Sequence, residues 1–202
     1  MTNHVVLATT TLYKNTDDVR AKLAVQTISQ AVVNGFKIVV VDGSTVPVKK
    51  VLEESGALLF DQEQRDMGAG RRQAIRAAAT LAGNDGVVVW TEPEKAPLVP
   101  HIRQLALPIR RNEADLVIPE RMSMDSYPKM QQYAELLGNQ AFYMLTGMAL
   151  DMWVGVRVFR ADLAYFFLEY NGEYGDLWDS IFIPVLRMIK ADKRVIGMKV
   201  NY

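Results

Sequence analysis

Residues 37–44 read KIVVVDGS: an unbroken apolar run, Lys37–Val41, that stops at Asp42, Gly43 and Ser44. A run of Ile and Val without polar alternation fits a strand buried on both faces, as in the parallel sheets of α/β proteins. Similar runs recur at His4–Ala8, Ala57–Phe60, Val87–Trp90, Leu116–Ile118, Val154–Phe159 and Val195–Val200. Helical periods fill the gaps: Asp17–Val33, Gly70–Leu81, Leu98–Ile109, Met130–Thr146, Leu163–Tyr170 and Asp179–Ile189. Strands alternating with helices predict βαβ units and a layered α/β domain with a mostly parallel sheet. No repeat, low-complexity stretch or linker interrupts the pattern, so residues 1–202 are read as a single domain. The polar, methionine-bearing stretch Pro119–Pro128 reads as a loop.

Composition narrows the function. Lys+Arg and Asp+Glu number 23 each, for a formal net charge of +0. The basic excess of a general nucleic-acid binder is missing. With no cysteine, disulfide frameworks and thiolate metal sites are excluded. No apolar run approaches the roughly 20 residues of a membrane span. The start, MTNHVVLATTT, has neither the basic nor the long apolar region of a secretory signal. The expectation is a cytoplasmic protein.

In open α/β sheets ligands sit beyond the carboxyl ends of the strands. Here those ends read Thr9-Thr10-Thr11, Asp42-Gly43-Ser44, Thr91-Glu92-Pro93-Glu94-Lys95 and Pro119-Glu120-Arg121. A carboxylate at Asp42 can accept hydrogen bonds from a base or ribose; it also suits a plain turn or helix cap. In residues 64–79, QRDMGAGRRQAIRAAA, Gly68 and Gly70 precede a helix, with Arg65, Arg71, Arg72 and Arg76 around them. Helix-start N–H groups and arginine forks suit a diphosphate, and the same arginines suit a solvated helix face. The pattern lacks the third glycine of a dinucleotide fingerprint and the Gly-Lys-Ser/Thr of a P-loop. Glu92 and Glu94 supply carboxylates for a divalent cation shared with substrate phosphates. Lys95 offers to hold phosphate charge directly, and acidic residues with proline also mark an ordinary helix start. Asp151, Asp176 and Asp179 are candidates for a general base, the last two also for helix caps. His4 and His101 read as structural, and Trp178 as a candidate sugar platform.

Taken in order, these pieces resemble the family 2 glycosyltransferases of the GT-A fold, most nearly the dolichyl-phosphate mannose synthases. The resemblance runs from about Val5 to Arg187. Ala8-Thr9-Thr10-Thr11 stands for the family's first strand-end turn, and Val41-Asp42-Gly43-Ser44 for its Val-Asp-Asp-Gly-Ser. Gly68-Ala69-Gly70-Arg71-Arg72 resembles Gly-X-Ala-Arg-Asn. ADLVIPER at 114–121 and LGNQAFYMLTGMALDMWVGVRVFRAD at 137–162 resemble the later strand and the helix–Asp–Phe-Arg block. The resemblance implies a three-layer α/β/α domain that binds a nucleotide-diphosphate sugar and passes the sugar to an acceptor it does not identify. It places Thr9, Thr11 and Asp42 on base and ribose, and Arg71, Arg72 and Glu92 near the nucleotide sugar. Asp151 or Asp179 becomes the catalytic base of an inverting displacement. The family's Asp-X-Asp falls on Thr91–Glu94. Glu92 stands for the first acid and Glu94, with a one-residue slip, for the second. These two would ligate a divalent metal, Mg or Mn, unless Lys95 and the arginines replace it. Proline supplies no ligand at 93, and Val41 replaces one family Asp. A non-catalytic nucleotide-sugar-binding protein is the alternative reading, and a homodimer is compatible with the chain. A sugar-phosphate nucleotidyltransferase needs a Gly-rich basic loop after the first strand, which Thr9-Thr10-Thr11-Leu12-Tyr13 does not provide.

Overall fold

The structure, a computed structural model, describes residues 5–201. Its strands are β1 Val5–Thr11, β2 Lys37–Asp42, β3 Leu58–Asp61, β4 Val87–Trp90, β5 Leu116–Arg121, β6 Arg157–Arg160 and β7 Val195–Val200. They form one sheet in the order β3-β2-β1-β4-β6-β5-β7. Every pairing is parallel except those of β6, which runs antiparallel to β4 and β5. The helices are α1 Val19–Val33, α2 Val46–Glu54, α3 Met67–Ala82, α4 Ile102–Arg110, α5 Lys129–Thr146, α6 Tyr165–Leu168 and α7 Asp179–Lys190. α1 packs with α2 and, through the 3-10 turn Ala96–His101, with α4; α3 packs with α6, and α6 with α7. The result is the expected three-layer α/β/α arrangement.

Burial follows the patterning. Leu7, Ile38–Val41, Val88, Val89, Leu116–Ile118, Val158 and Phe159 are wholly excluded from solvent. These are the continuous apolar runs, sandwiched between helices as buried parallel strands require. β3, at the sheet edge, is largely exposed.

Several boundaries differ from the sequence reading. α2 was not anticipated. It buries only Val48 and Leu52 and carries Pro47 in its first turn, where proline suits a helix start but the apolar period is too sparse to see. α3 begins at Met67, because Asp66 caps it by accepting the Ala69 N–H at 2.6 Å. The run 98–109 divides between the Ala96–His101 turn and α4. β5 continues through Pro119 to Arg121 and pairs with β7 to Val200, so the polar stretch after Ile118 starts as strand. β6 starts at Arg157, because residues 152–154 form a 3-10 turn and Gly155 sits at φ 79°. His4 lies outside the described residues. No helix among the described residues is long and apolar enough to cross a membrane.

Candidate active site

The parallel register sets the first corner of the site. Thr11 lies opposite Asp42 where β1 and β2 end. The Thr11 hydroxyl donates to Asp42 Oδ1 at 2.6 Å, and the Ser44 hydroxyl donates to the same oxygen at 2.5 Å. Ser44 Oγ in turn accepts the Tyr13 N–H at 2.8 Å. Asp42 Oδ2 is buried and has no partner among the described residues. A buried acceptor left unmade costs about 1–3 kcal/mol. Asp42 lines a cleft of about 790 Å³ whose walls also include Thr11, Arg71, Glu92, Glu94 and Trp178.

The two adjacent arginines at the start of α3 point apart. Arg72 forms a two-pronged pair with Asp176, at 2.6 and 2.7 Å. Gly68 makes room for that carboxylate, since a Cβ there would lie 1.9 Å from Asp176 Oδ1. Arg72 thereby clamps the loop before α7 onto α3 and does not line the cleft. Asp176 itself, at φ 59°, is the partner in that clamp; α7 starts three residues later, so it is no helix cap. Arg71 faces the cleft and is only 5% exposed. Its Nη1 donates to the Leu177 carbonyl and, at 2.8 Å, to Ser180 Oγ. Its guanidinium carbon lies 5.5 Å from the Trp90 ring centre and 5.0 Å from that of Trp178. No carboxylate forms an ion pair with it among the described residues, and its Nε is buried without a partner. Burial lowers its pKa to about 10, which leaves it cationic at neutral pH.

Beyond β4 the acidic pair is already engaged. Glu94 accepts the Arg20 Nε–H at 2.7 Å and the Tyr13 hydroxyl at 3.1 Å. Burial, with help from Glu94, raises the Tyr13 phenol far above its ordinary value. Glu92 faces Lys95, with Nζ 3.4 Å from Oε2. Burial raises the Glu92 carboxyl, and Lys95 opposes the rise. Behind it the turn before β6 closes in: a Cβ on Gly155 would lie 2.6 Å from Glu92 Cδ. This approach follows from the antiparallel run of β6, which sets Arg157 opposite Trp90. No cluster of three or more Asp, Glu or His suited to a metal occurs among the described residues. The donor set therefore does not fit a resident divalent cation: one carboxylate holds Arg20 and Tyr13, and the other faces an ammonium.

A second cavity of about 390 Å³ adjoins the first, with walls of Glu92, Lys95, Arg121, Glu135, Trp153 and Trp178. Arg121 is the hub of its polar floor. Its Nε and Nη2 donate to Asp151 at 2.7 Å each, and Nη2 also reaches Glu135 at 2.5 Å. Asn139 adds a donor to Asp151 at 3.3 Å. Burial acts to raise the Asp151 carboxyl, but the hydrogen bonds and charge of Arg121 outweigh it and hold the group below its usual range. Asp179 is saturated too. It accepts the Tyr170 hydroxyl and the N–H groups of Leu177 and Asp176. Burial again acts upward, and these donors bring its pKa below the ordinary value.

The structure thus gathers Thr11, Asp42, Arg71, Glu92 and Glu94 around one cleft. Thr9 lies within the sheet, fully buried, its hydroxyl unpartnered. Arg72, Asp151 and Asp179 line neither cavity. Sequence reasoning passed over Glu135 and Arg157. Arg157 has no exposure and no carboxylate partner; it donates to the Val156 and Met152 carbonyls, and burial lowers it to about 10. A lone arginine inside VGVRVF was the signal available.

No protein-family model and no curated protein matches the chain. Solved structures do. Glucosyl-3-phosphoglycerate synthase from Mycobacterium tuberculosis, in complex with Mn²⁺, UDP and phosphoglyceric acid, superposes with a TM-score of 0.70 at 16% identity, over 98% of this chain and 68% of that one. Mannosyl-3-phosphoglycerate synthase from Rubrobacter xylanophilus gives 0.61 at 15% identity, over 96% and 66%. The architecture is therefore the GT-A fold. At this identity the likeness establishes the fold alone; the chemistry rests on the residues.

Proposed function

We propose that the protein transfers a glycosyl group from a nucleoside-diphosphate sugar to a hydroxyl acceptor. The observation that carries this reading is that Asp42 and Arg71, each with a buried polar atom unpartnered among the described residues, line one strand-end cleft. In the similar fold of the mycobacterial synthase the bound molecules are UDP, Mn²⁺ and phosphoglyceric acid. Asp42 accepts from the base or ribose, with Thr11 and Ser44 fixing its other oxygen. Arg71 receives the diphosphate through a fork suited to phosphate oxygens.

The acceptor enters by the smaller cavity, and Glu92 lines both. Its oxygen attacks the anomeric carbon and its proton passes to Glu92. The carbon–oxygen bond to the diphosphate breaks, and the nucleoside diphosphate leaves with the electron pair. Glu92 suits the role better than Asp151 or Asp179, because it lines both cavities and they line neither. In this reading Asp151 positions Arg121, and Asp179 the loop before α7. Stabilising the departing charge supplies most of the acceleration.

The test is nucleotide release from UDP-, GDP-, ADP- and CDP-sugars, with Trp fluorescence reporting binding. Glu92→Gln is expected to keep nucleotide affinity and lose turnover. Binding without turnover in the wild-type protein would favour the non-catalytic alternative. Failure of every nucleotide sugar to bind would refute both.

A further inference from the structure

We infer that the donor diphosphate is met by a side chain of the chain itself, Arg71, and that donor binding requires no divalent cation. The inference rests on the reading of the larger cleft as a nucleoside-diphosphate site.

The first ground is what the acidic residues already do. Glu94 is bonded to Arg20 and Tyr13, joining the β1–α1 loop to the loop after β4. Turning it toward a metal would break both bonds and leave the half-buried Tyr13 hydroxyl without its acceptor. Glu92 already has a cation 3.4 Å away. The Lys95 side chain is only 17% exposed, so the ammonium is held against the carboxylate. A dication at the same oxygens would sit beside that ammonium and be repelled by it.

The second ground is Arg71. A guanidinium that is 95% buried, stacked between Trp90 and Trp178, with Nε unpartnered and no carboxylate paired, carries a large desolvation penalty. Nothing in the described chain offsets it with an anion. A phosphate oxygen in the cleft would. Arg157, buried beside the same strand end and likewise unpaired, adds positive potential from beneath. The diphosphate bridge of a nucleotide sugar carries one negative charge per phosphate. The Arg71 guanidinium meets that charge without the dehydration that a hard cation requires.

The experiment titrates UDP, GDP, ADP and CDP into the full chain by calorimetry, with excess EDTA and, separately, with Mn²⁺ or Mg²⁺. The wild-type dissociation constant is expected to agree within about threefold between the conditions. Arg71→Met keeps most of the apolar stem and removes the charge. It is expected to weaken the selected nucleoside diphosphate by roughly tenfold, the scale of one lost charge-assisted contact, while the matching nucleoside, which lacks phosphate, binds unchanged. An affinity that falls tenfold or more in EDTA would overturn the inference. So would an Arg71→Met variant, folded by circular dichroism, that binds the diphosphate as the wild type does. If no nucleoside diphosphate binds under any condition, the functional reading fails with it, and that result is distinct from metal-dependent binding.

Discussion

Replacing Arg121 by methionine isolates the electrostatics of the smaller cavity. The Arg121 side chain is 2% exposed, and those of Asp151 and Glu135 are 12% and 10% exposed. Methionine retains most of the apolar stem, so packing is largely kept and the loss is the charge with its three side-chain hydrogen bonds to the two carboxylates; a fourth bond, from the Arg121 main chain to Asp151, is preserved. Removing one member of a buried ion pair costs about 3–5 kcal/mol, because the remaining charge is stranded. For a chain of this size each kcal/mol lowers Tm by about 2–4 °C, so a fall of roughly 10 °C is expected. The sign of the pH dependence is fixed as well. In the wild type Asp151 lies below its ordinary range, so its contribution is present above the unfolded value, about 3.9, and fades as pH falls through the folded one. In the variant, burial without the Arg121 cation raises the Asp151 carboxyl above its unfolded value. The destabilisation is then largest near neutrality and shrinks as acid protonates it. Urea unfolding of both proteins near pH 7 and near pH 4.5 measures this. A loss below about 1 kcal/mol near neutrality, or one that does not change with pH, would show that the triad is not the coupled unit its geometry describes.

Asp115 accepts from the Arg194 main chain at 2.8 Å, from the Arg194 side chain at 2.9 and 3.1 Å, and from Arg160 at 3.2 Å. Arg194 is the main cause that lowers its pKa to about 2. Its stabilisation, about 1–2 kcal/mol after allowing for the partly exposed arginines, is present above the unfolded value and lost as pH falls toward about 2. Asp115→Asn is therefore expected to be less stable at neutral pH and to converge with wild type in acid, read by denaturation across pH. Asp42→Asn should leave the fold intact, since the amide oxygen still accepts from Thr11 and Ser44. It should also weaken nucleotide binding about tenfold, checked by calorimetry. Gly155→Ala places a Cβ at φ 79° and against Glu92, so a loss of about 1–2 kcal/mol and slower turnover of nucleotide sugar are expected together, from thermal unfolding and nucleotide-release assays.

The sheet was legible because buried parallel strands write themselves as uninterrupted Val and Ile, and the ends of those runs pointed to the cleft. Asp42 and Glu92 were found that way, since each follows a run whose direction the fold fixes, while Arg71 stood out at the glycine-bearing start of a helix. What stayed hidden depends on where neighbours point. Arg71 and Arg72 are equivalent in sequence, and only the packing of the 170s loop sends one to Asp176 and the other to the cleft. Asp151 read as a free base because its partner Arg121 lies 30 residues away, beyond any local pattern. The second helix, with two buried side chains, had no period to detect.

Glu92 and Trp178 belong to the walls of both cavities. Filling either one constrains side chains that the other uses, so the two binding free energies are linked. Whatever factor a donor imposes on acceptor affinity, the acceptor imposes on the donor. No hinge or domain motion is needed for this coupling; a shared wall suffices. For anyone searching for the acceptor, compounds tested against the empty protein meet a cavity whose shared wall no nucleotide constrains. The same compounds tested with a nucleotide in place meet a different one.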